Sequence, residues 1–452
     1  MRELDLGKTN INRIFWMYVI PSIFSIIFST TAQLIDSAFI GRYVGSNGLA
    51  AITMLFPFFM ILNGVSIMIA IGGVTYAGIQ RGKNELEKSN NFFNLSIVMV
   101  VIAGVSASLI FIILNNFFGI LFDVNNETLS MIQTYGFWIS IFFVFNMVNL
   151  TFNLFLNLDK KPVLVVIISG FGTVINMVLN YAFIVLLDMG IMGAALASGV
   201  SQIIPGIIFI YIIIKRSSWR FRFPILKFND VKQILFNGSS ELVSISSVAI
   251  SGFILNKVIL DSVGIIGVAG FSIALQLGGL VISFGFGVSD AIQSPISFNY
   301  GAVQYNRVKA ILLKGIRINV FFGLVLSILS LFFGDLFAKI FVTDQETIIY
   351  ASQILKFYSL AFIFMGSNVI ISTYYTSVDS PVISGVISLL KSMVFIVIWL
   401  IILPPLLGNN GIWLALVFAE VSTSITALFI YIKFPYGKKQ TEKIYWKRCT
   451  YE

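Results

Sequence analysis

Residues 14–45 read IFWMYVIPSIFSIIFSTTAQLIDSAFIGRYVG. From Ile14 to Ile35 no side chain carries a charge. A helix of that length spans about 33 Å, enough to cross a hydrocarbon core about 30 Å thick. Asp36 stands at the far end of the run, and Arg42 follows it. The run is one of twelve, at roughly 14–40, 50–80, 92–114, 128–157, 162–187, 190–214, 231–257, 265–299, 309–333, 346–376, 381–405 and 411–433. Pro21, Pro57 and Pro205 fall inside runs and are expected to kink them.

Composition agrees with a polytopic membrane protein. Of 452 residues, 58% are hydrophobic and 11% charged, with a mean hydropathy of +0.94. A soluble domain carries about 25% charged residues. The formal net charge of +9 does not imply a nucleic-acid partner, because the basic residues lie in the gaps between apolar runs. Twenty-four of the 29 Lys and Arg fall in alternate gaps and the two ends, whereas the opposite gaps hold only Arg42, Lys257 and Lys339. That bias predicts a multi-pass protein of the cytoplasmic membrane with both termini in the cytoplasm. The N-terminus, MRELDLGKTNINR, lacks the apolar core of a cleaved signal peptide. The single cysteine, Cys449, and the absence of histidine exclude an internal disulfide, His-dependent triads and the usual zinc sites.

The chain also matches itself at an offset of 219. Gly45 pairs with Gly264, Gly82 with Gly301, Phe122 with Phe341, Glu127-Thr128 with Glu346-Thr347, Asn149 with Asn368, and Pro162-Val163 with Pro381-Val382. The repeat predicts an all-α membrane protein of two six-helix lobes. Six is even, so both lobes have one orientation, related by a two-fold axis along the membrane normal with a central cleft. The expected domains are an N-lobe at 1–214, a cytoplasmic linker at 215–230, a C-lobe at 231–433 and a basic tail at 434–452. Such a duplication suits alternating access.

Charges inside apolar runs are costly and are therefore candidate functional groups. Asp36 is the clear case in the first half. It either binds a cation or proton, or it reaches the interface and pairs with Arg42. Asn176 and Asn180, four apart on one helix face, and Ser198 on the next run offer further oxygens. A carboxylate with amide and hydroxyl oxygens suits a hard cation such as Na+. Asn146, Asn149, Asn153 and Asn157 form a stripe on the fourth run, read either as a cleft lining or as helix–helix hydrogen bonding. In the second half Glu241, Lys356, Lys391 and Glu420 lie near mid-membrane depth. Two acids and two bases balance, either as a structural ion-pair network or as coupling groups. Asp290 lies close to a run end, where interface solvation accounts for it.

These residues carry a family resemblance. LIDSAFIGRYVGSNGLAA (34–51) resembles the first-helix signature of the multidrug and toxic compound extrusion (MATE) family, bacterial branch. NMVLNYAFIVLLDMGIMGAALASGVSQ (176–202) is similar to its helix 5–6 pattern, and SFNYGAVQYNRVKA (297–310) to its mirror motif. The resemblance covers about the whole chain. It implies a secondary antiporter, coupled to Na+ or H+, that exports organic, often cationic, drugs by alternating access. It also implies that Asp36, Asn176, Asn180 and Ser198 take the places of the family's first-half cation ligands. Two of them depart from the pattern. Ser198 stands where relatives have Thr and keeps the hydroxyl. Asn180 stands where they have Asp and removes one negative charge. Lys391 stands where relatives often have Arg, losing the planar fork.

The alternative is a flippase for a lipid-linked saccharide of the same superfamily, although those often have fourteen helices. An enzyme is not expected, since no nucleotide loop, metal motif or nucleophile elbow is present. The expected partners are a small organic substrate and membrane lipid, with no nucleic acid and no cofactor beyond the coupling ion. The chain is expected to be a monomer.

Overall fold

The computed structural model describes residues 5–114, 125–342 and 344–436. Among these, twelve helices are long and apolar enough to cross a membrane, and no strand occurs. They are α1 (Ile11–Val44), α2 (Asn47–Gly82), α3 (Leu86–Leu114), α4 (Asn126–Leu158), α5 (Pro162–Leu186) and α6 (Gly190–Arg216), then α7 (Phe228–Val263), α8 (Ile265–Gly301), α9 (Tyr305–Phe341), α10 (Gln345–Ser377), α11 (Pro381–Leu407) and α12 (Asn409–Lys433). Each expected run has become one of them, with most ends extended beyond the apolar stretch. The helices run unbroken through Pro21, Pro57 and Pro205. Non-helical backbone angles occur within α9 at Phe333, whose φ is −120° and ψ 21°.

The duplication shows in the backbone itself. Non-helical turns with positive φ recur at the 219 offset: Gly45 (95°) with Gly264 (83°), Asn84 (62°) with Val303 (59°), and Lys160 (64°) with Asp379 (56°). Gly at 45 and 264 fits the left-handed region, which other side chains enter at a cost. Helix starts recur as well. Asn125 caps α4 by accepting from the Thr128 N–H at 2.7 Å, and Asp344 caps α10 by accepting from that of Thr347 at 2.9 Å. Pro162 and Pro381 each occupy the first turn of their helix, where the missing N–H costs nothing.

The chain divides into two compact units, Met1–Gly238 and Ser239–Glu452. The division falls inside α7, eleven residues into the helix. In the first unit α4 packs on α2, α3 and α6, while α1 packs on α5. Its core is aromatic and aliphatic, with Phe93, Phe152, Phe155, Phe209 and Trp219 almost fully buried. In the second unit α8, α9 and α10 pack together, and α11 packs on α12. Phe271, Tyr358, Phe362 and Trp413 fill that core. The outward faces are apolar too, as expected of helices whose solvent is lipid. Cys449 and most of the expected basic tail lie outside the described residues.

Candidate cation site and the polar groups of the membrane helices

Asp36 is half-buried on α1, and three side chains from two other helices converge on it. Asn180 Nδ2 on α5 donates to Asp36 Oδ1. Ser198 Oγ on α6 donates to Asp36 Oδ2 at 3.0 Å. Asn176, one turn before Asn180, lies within electrostatic reach of the carboxylate, and its Oδ1 accepts from Asn180 Nδ2 at 3.4 Å. All four residues therefore come together within the first unit. The spacing of four puts both amides on one face of α5, and packing of α1 on α5 brings them to the carboxylate. Beyond the site both helices widen into π-helical turns, at Ile40–Val44 and Tyr181–Leu186, which pack against each other. Such turns redirect the side chains that follow and are frequent at functional sites.

Two further observations bear on what this site can hold. Asn180 is fully buried, yet its Oδ1 has no hydrogen-bond partner among the described residues. A buried, unpaired carbonyl oxygen beside a carboxylate lacks a donor or a positive charge. Asp36 makes no ion pair within 4.0 Å with Arg42, whose guanidinium instead lies 5.7 Å from the ring centre of Tyr43. Tyr135 on α4, buried and within electrostatic reach of Asp36, was not singled out from sequence. A tyrosine in a run of apolar residues gives no signal there.

The asparagine stripe of α4 divides. Asn149 Nδ2 donates to the Gln202 carbonyl at 2.8 Å and to Gln202 Oε1 at 3.1 Å, bracketing α4 to α6. Its repeat mate Asn368 does the same in the second unit, donating to the Glu420 carbonyl at 3.0 Å and to Glu420 Oε2 at 2.6 Å. Asn157 lends its backbone carbonyl to the Tyr18 hydroxyl at 2.8 Å. The Oδ1 atoms of Asn149, Asn153 and Asn157 are buried without partners among the described residues. Asn146 is half-buried.

In the second unit, Lys391 lies within electrostatic reach of both Glu420 and Glu241, in a π-helical turn of α11 at Leu390–Val394. No ion pair within 4.0 Å joins them among the described residues. Lys356 is exposed, and no hydrogen bond or ion pair links it to the other three. Its place near the acids is taken by Asp290, half-buried and within electrostatic reach of Glu241. Distance from a run end placed Asp290 at an interface. The face of α8 that it occupies, which the sequence does not show, brings it within electrostatic reach of Glu241.

The MatE family model matches residues 21–182 and 242–402, one block in each half of the repeat. The chain belongs to the MatE family. Members of this family are transporters, not enzymes. Among curated relatives, the multidrug export protein MepA of Staphylococcus haemolyticus is 22% identical over 422 residues, 91% of each chain. The multidrug resistance protein YoeA of Bacillus subtilis, assigned as probable, is 23% identical over 468 residues, 97% of each chain. An outward-facing multidrug resistance MATE family transporter of the MOP superfamily has the same fold, with a TM-score of 0.88 at 20% identity. That match covers 95% of this chain and 97% of the other. The MatE chain thus carries the fold of these transporters through nearly its whole length.

Proposed function

We propose that this MatE chain is a multidrug exporter of the cell membrane, and that a cation or proton held at Asp36 couples a transmembrane gradient to export of organic, cationic substrates. The observation that carries the coupling role is the convergence of Asn180 and Ser198 on the Asp36 carboxylate, with Asn176 behind Asn180 and Asn180 Oδ1 unpaired among the described residues. The relatives named for multidrug export support the substrate class.

A sodium ion would draw its oxygens from Asp36, Asn176, Asn180 and Ser198, a donor set that fits a hard cation. A proton would sit on the Asp36 carboxylate alone. In both cases the filled site is less costly to bury than the bare carboxylate, so binding biases the chain toward one state of an alternating-access cycle. Substrate and ion then influence each other reciprocally through that equilibrium. The carboxylate holds and releases the ion, Asn180 and Ser198 orient it, and Asn176 steadies Asn180.

The reading is tested by dye retention and drug susceptibility in cells that express the chain. Expression should lower retention of cationic dyes, and Asp36→Asn should restore it at equal protein level. Unchanged retention in expressing cells, together with altered envelope polymers, would instead mark a flippase.

A further inference from the structure

The segment between α6 and α7 forms a surface that the transport site does not use. Residues 217–227 are not helical, and three amides of α3 hold their backbone. Asn90 Oδ1 accepts from the Arg220 N–H at 2.8 Å, and its Nδ2 donates to the Arg220 carbonyl at 2.9 Å. Asn91 repeats this on Ile225, accepting at 2.8 Å and donating at 3.2 Å. Asn94 accepts from the Arg222 N–H at 3.0 Å and donates to the Arg220 carbonyl at 2.9 Å. Side-chain amides thus satisfy the segment as a neighbouring strand would. Trp219 seals one end: it is 1% exposed, stacks on Phe93 at 5.1 Å, and donates its indole N–H to the Phe155 carbonyl at 2.9 Å.

Trp219 and Phe221 turn inward on Phe93, whereas other side chains of the pinned segment face away. Phe223 is fully exposed, as nearly are Phe228 (85%) and Leu226 (73%). Arg220, Arg222 and Lys227 are exposed among them, and the ion pairs of the described residues lie elsewhere. From 215 to 232 there are six Lys and Arg and one acid, Asp230. A topology signal needs only the charge. It requires neither exposed aromatic and aliphatic groups nor a fixed backbone.

Position decides what such a surface meets. The segment joins the end of one helix long and apolar enough to cross a membrane, Arg216, to the start of the next, Phe228, a position that puts it on the side of the bilayer where water and headgroups meet. Apolar side chains enter the acyl boundary there, while guanidinium groups bind phosphate through two parallel hydrogen bonds. We propose that residues 220–228 are a binding site for phospholipids with an anionic headgroup, Arg220, Arg222 and Lys227 taking the phosphate and Phe223, Leu226 and Phe228 the upper acyl chain. Bound lipid there fixes the segment between α6 and α7 to the bilayer surface.

The full-length protein in detergent is titrated with phosphatidylglycerol and with phosphatidylcholine of the same acyl chains, and bound lipid is counted by native mass spectrometry. Phosphatidylglycerol should bind more tightly. The triple variant R220Q/R222Q/K227Q should weaken it by about tenfold or more, and weaken phosphatidylcholine, whose choline offsets its phosphate, by less. R222Q alone should act in the same direction to a smaller extent, so the test survives poor folding of the triple variant. F223S should weaken both lipids, and millimolar inorganic phosphate should displace neither. Equal binding of the two lipids, unchanged phosphatidylglycerol affinity in both basic variants, or displacement by inorganic phosphate would overturn the proposal.

Discussion

Asp36 sits at the end of its apolar run with its two oxygens engaged from different helices, Oδ1 by Asn180 on α5 and Oδ2 by Ser198 on α6. This division of labour makes the two partners separable. Asn180→Asp replaces an amide donor with a second carboxylate and restores a formal charge. Sodium affinity, measured by calorimetry on purified protein, should rise, by roughly tenfold or more if the added charge acts near the surface-like effective dielectric. Unchanged affinity would exclude Asn180 from the ligand set. Ser198→Ala removes one donor while leaving the carboxylate, so it should weaken coupling without abolishing it, as read from efflux rate at limiting gradient. Much of this site was legible in sequence, because a charge in an apolar run and two amides four apart are conspicuous. The Asn180 Oδ1, unpaired among the described residues, and the approach of Tyr135 were not, since both depend on how α1, α4 and α5 face one another.

At the scale of elements, the loop after α4 is fastened more firmly than its length suggests. Asp159 is 7% exposed and gathers Arg81 Nη1 at 3.4 Å, Ser217 Oγ at 2.8 Å, Lys161 Nζ and Ser218 Oγ. Arg81 in turn covers the Trp219 ring at 3.6 Å. Burial by itself would raise the Asp159 carboxyl. The hydrogen bonds from Lys161 and Ser218 and the charges of Lys161 and Arg81 outweigh it and hold the group below the usual carboxylate range. A depressed folded-state value stabilises the native chain above the unfolded-state value, about 3.9, and this contribution disappears as pH falls through the lower folded value. Thermal melts of the wild type should therefore lose stability below about pH 4, and Asp159→Asn should be less stable at neutral pH and lack that part of the acid dependence. An identical pH profile in the two proteins would deny Asp159 this role. Trp219→Ala should cost about 3–5 kcal/mol, read by chemical denaturation. The Asn149 and Asn368 brackets teach a similar lesson. The stripe was visible as a period in the sequence, but only the partners across the helix, Gln202 and Glu420, show that one member joins helices.

For the whole molecule, twelve runs and a fixed offset were enough to read the helices and the duplication. The chain's own chemistry repeats its turns and caps at that offset. The grouping of second-half charges was less legible, because depth along a run says nothing of the face a residue occupies. Lys356 has the right depth and is exposed, whereas Asp290 comes within reach of Glu241. If Glu241, Glu420 and Lys391 balance one another, Lys391→Met strands two acids. It should lower the melting temperature, and Lys391→Met with Glu420→Gln should recover part of the loss. Full stability in Lys391→Met would show that the three act independently. Orientation has its own reporter in Cys449, the only thiol. A membrane-impermeant maleimide should label it in permeabilised but not in intact cells, as the basic bias requires.

The coupling role of Asp36 is the claim on which the transport account rests, and transport by purified protein in sealed proteoliposomes tests it most directly. Sodium and proton gradients are imposed separately, and uptake or release of a cationic dye is followed for the wild type and for Asp36→Asn. The account predicts gradient-driven movement in the wild type under at least one of the two gradients. It predicts none in Asp36→Asn, which should still insert, melt cooperatively and bind the dye. Wild-type rates in Asp36→Asn under both gradients would contradict it.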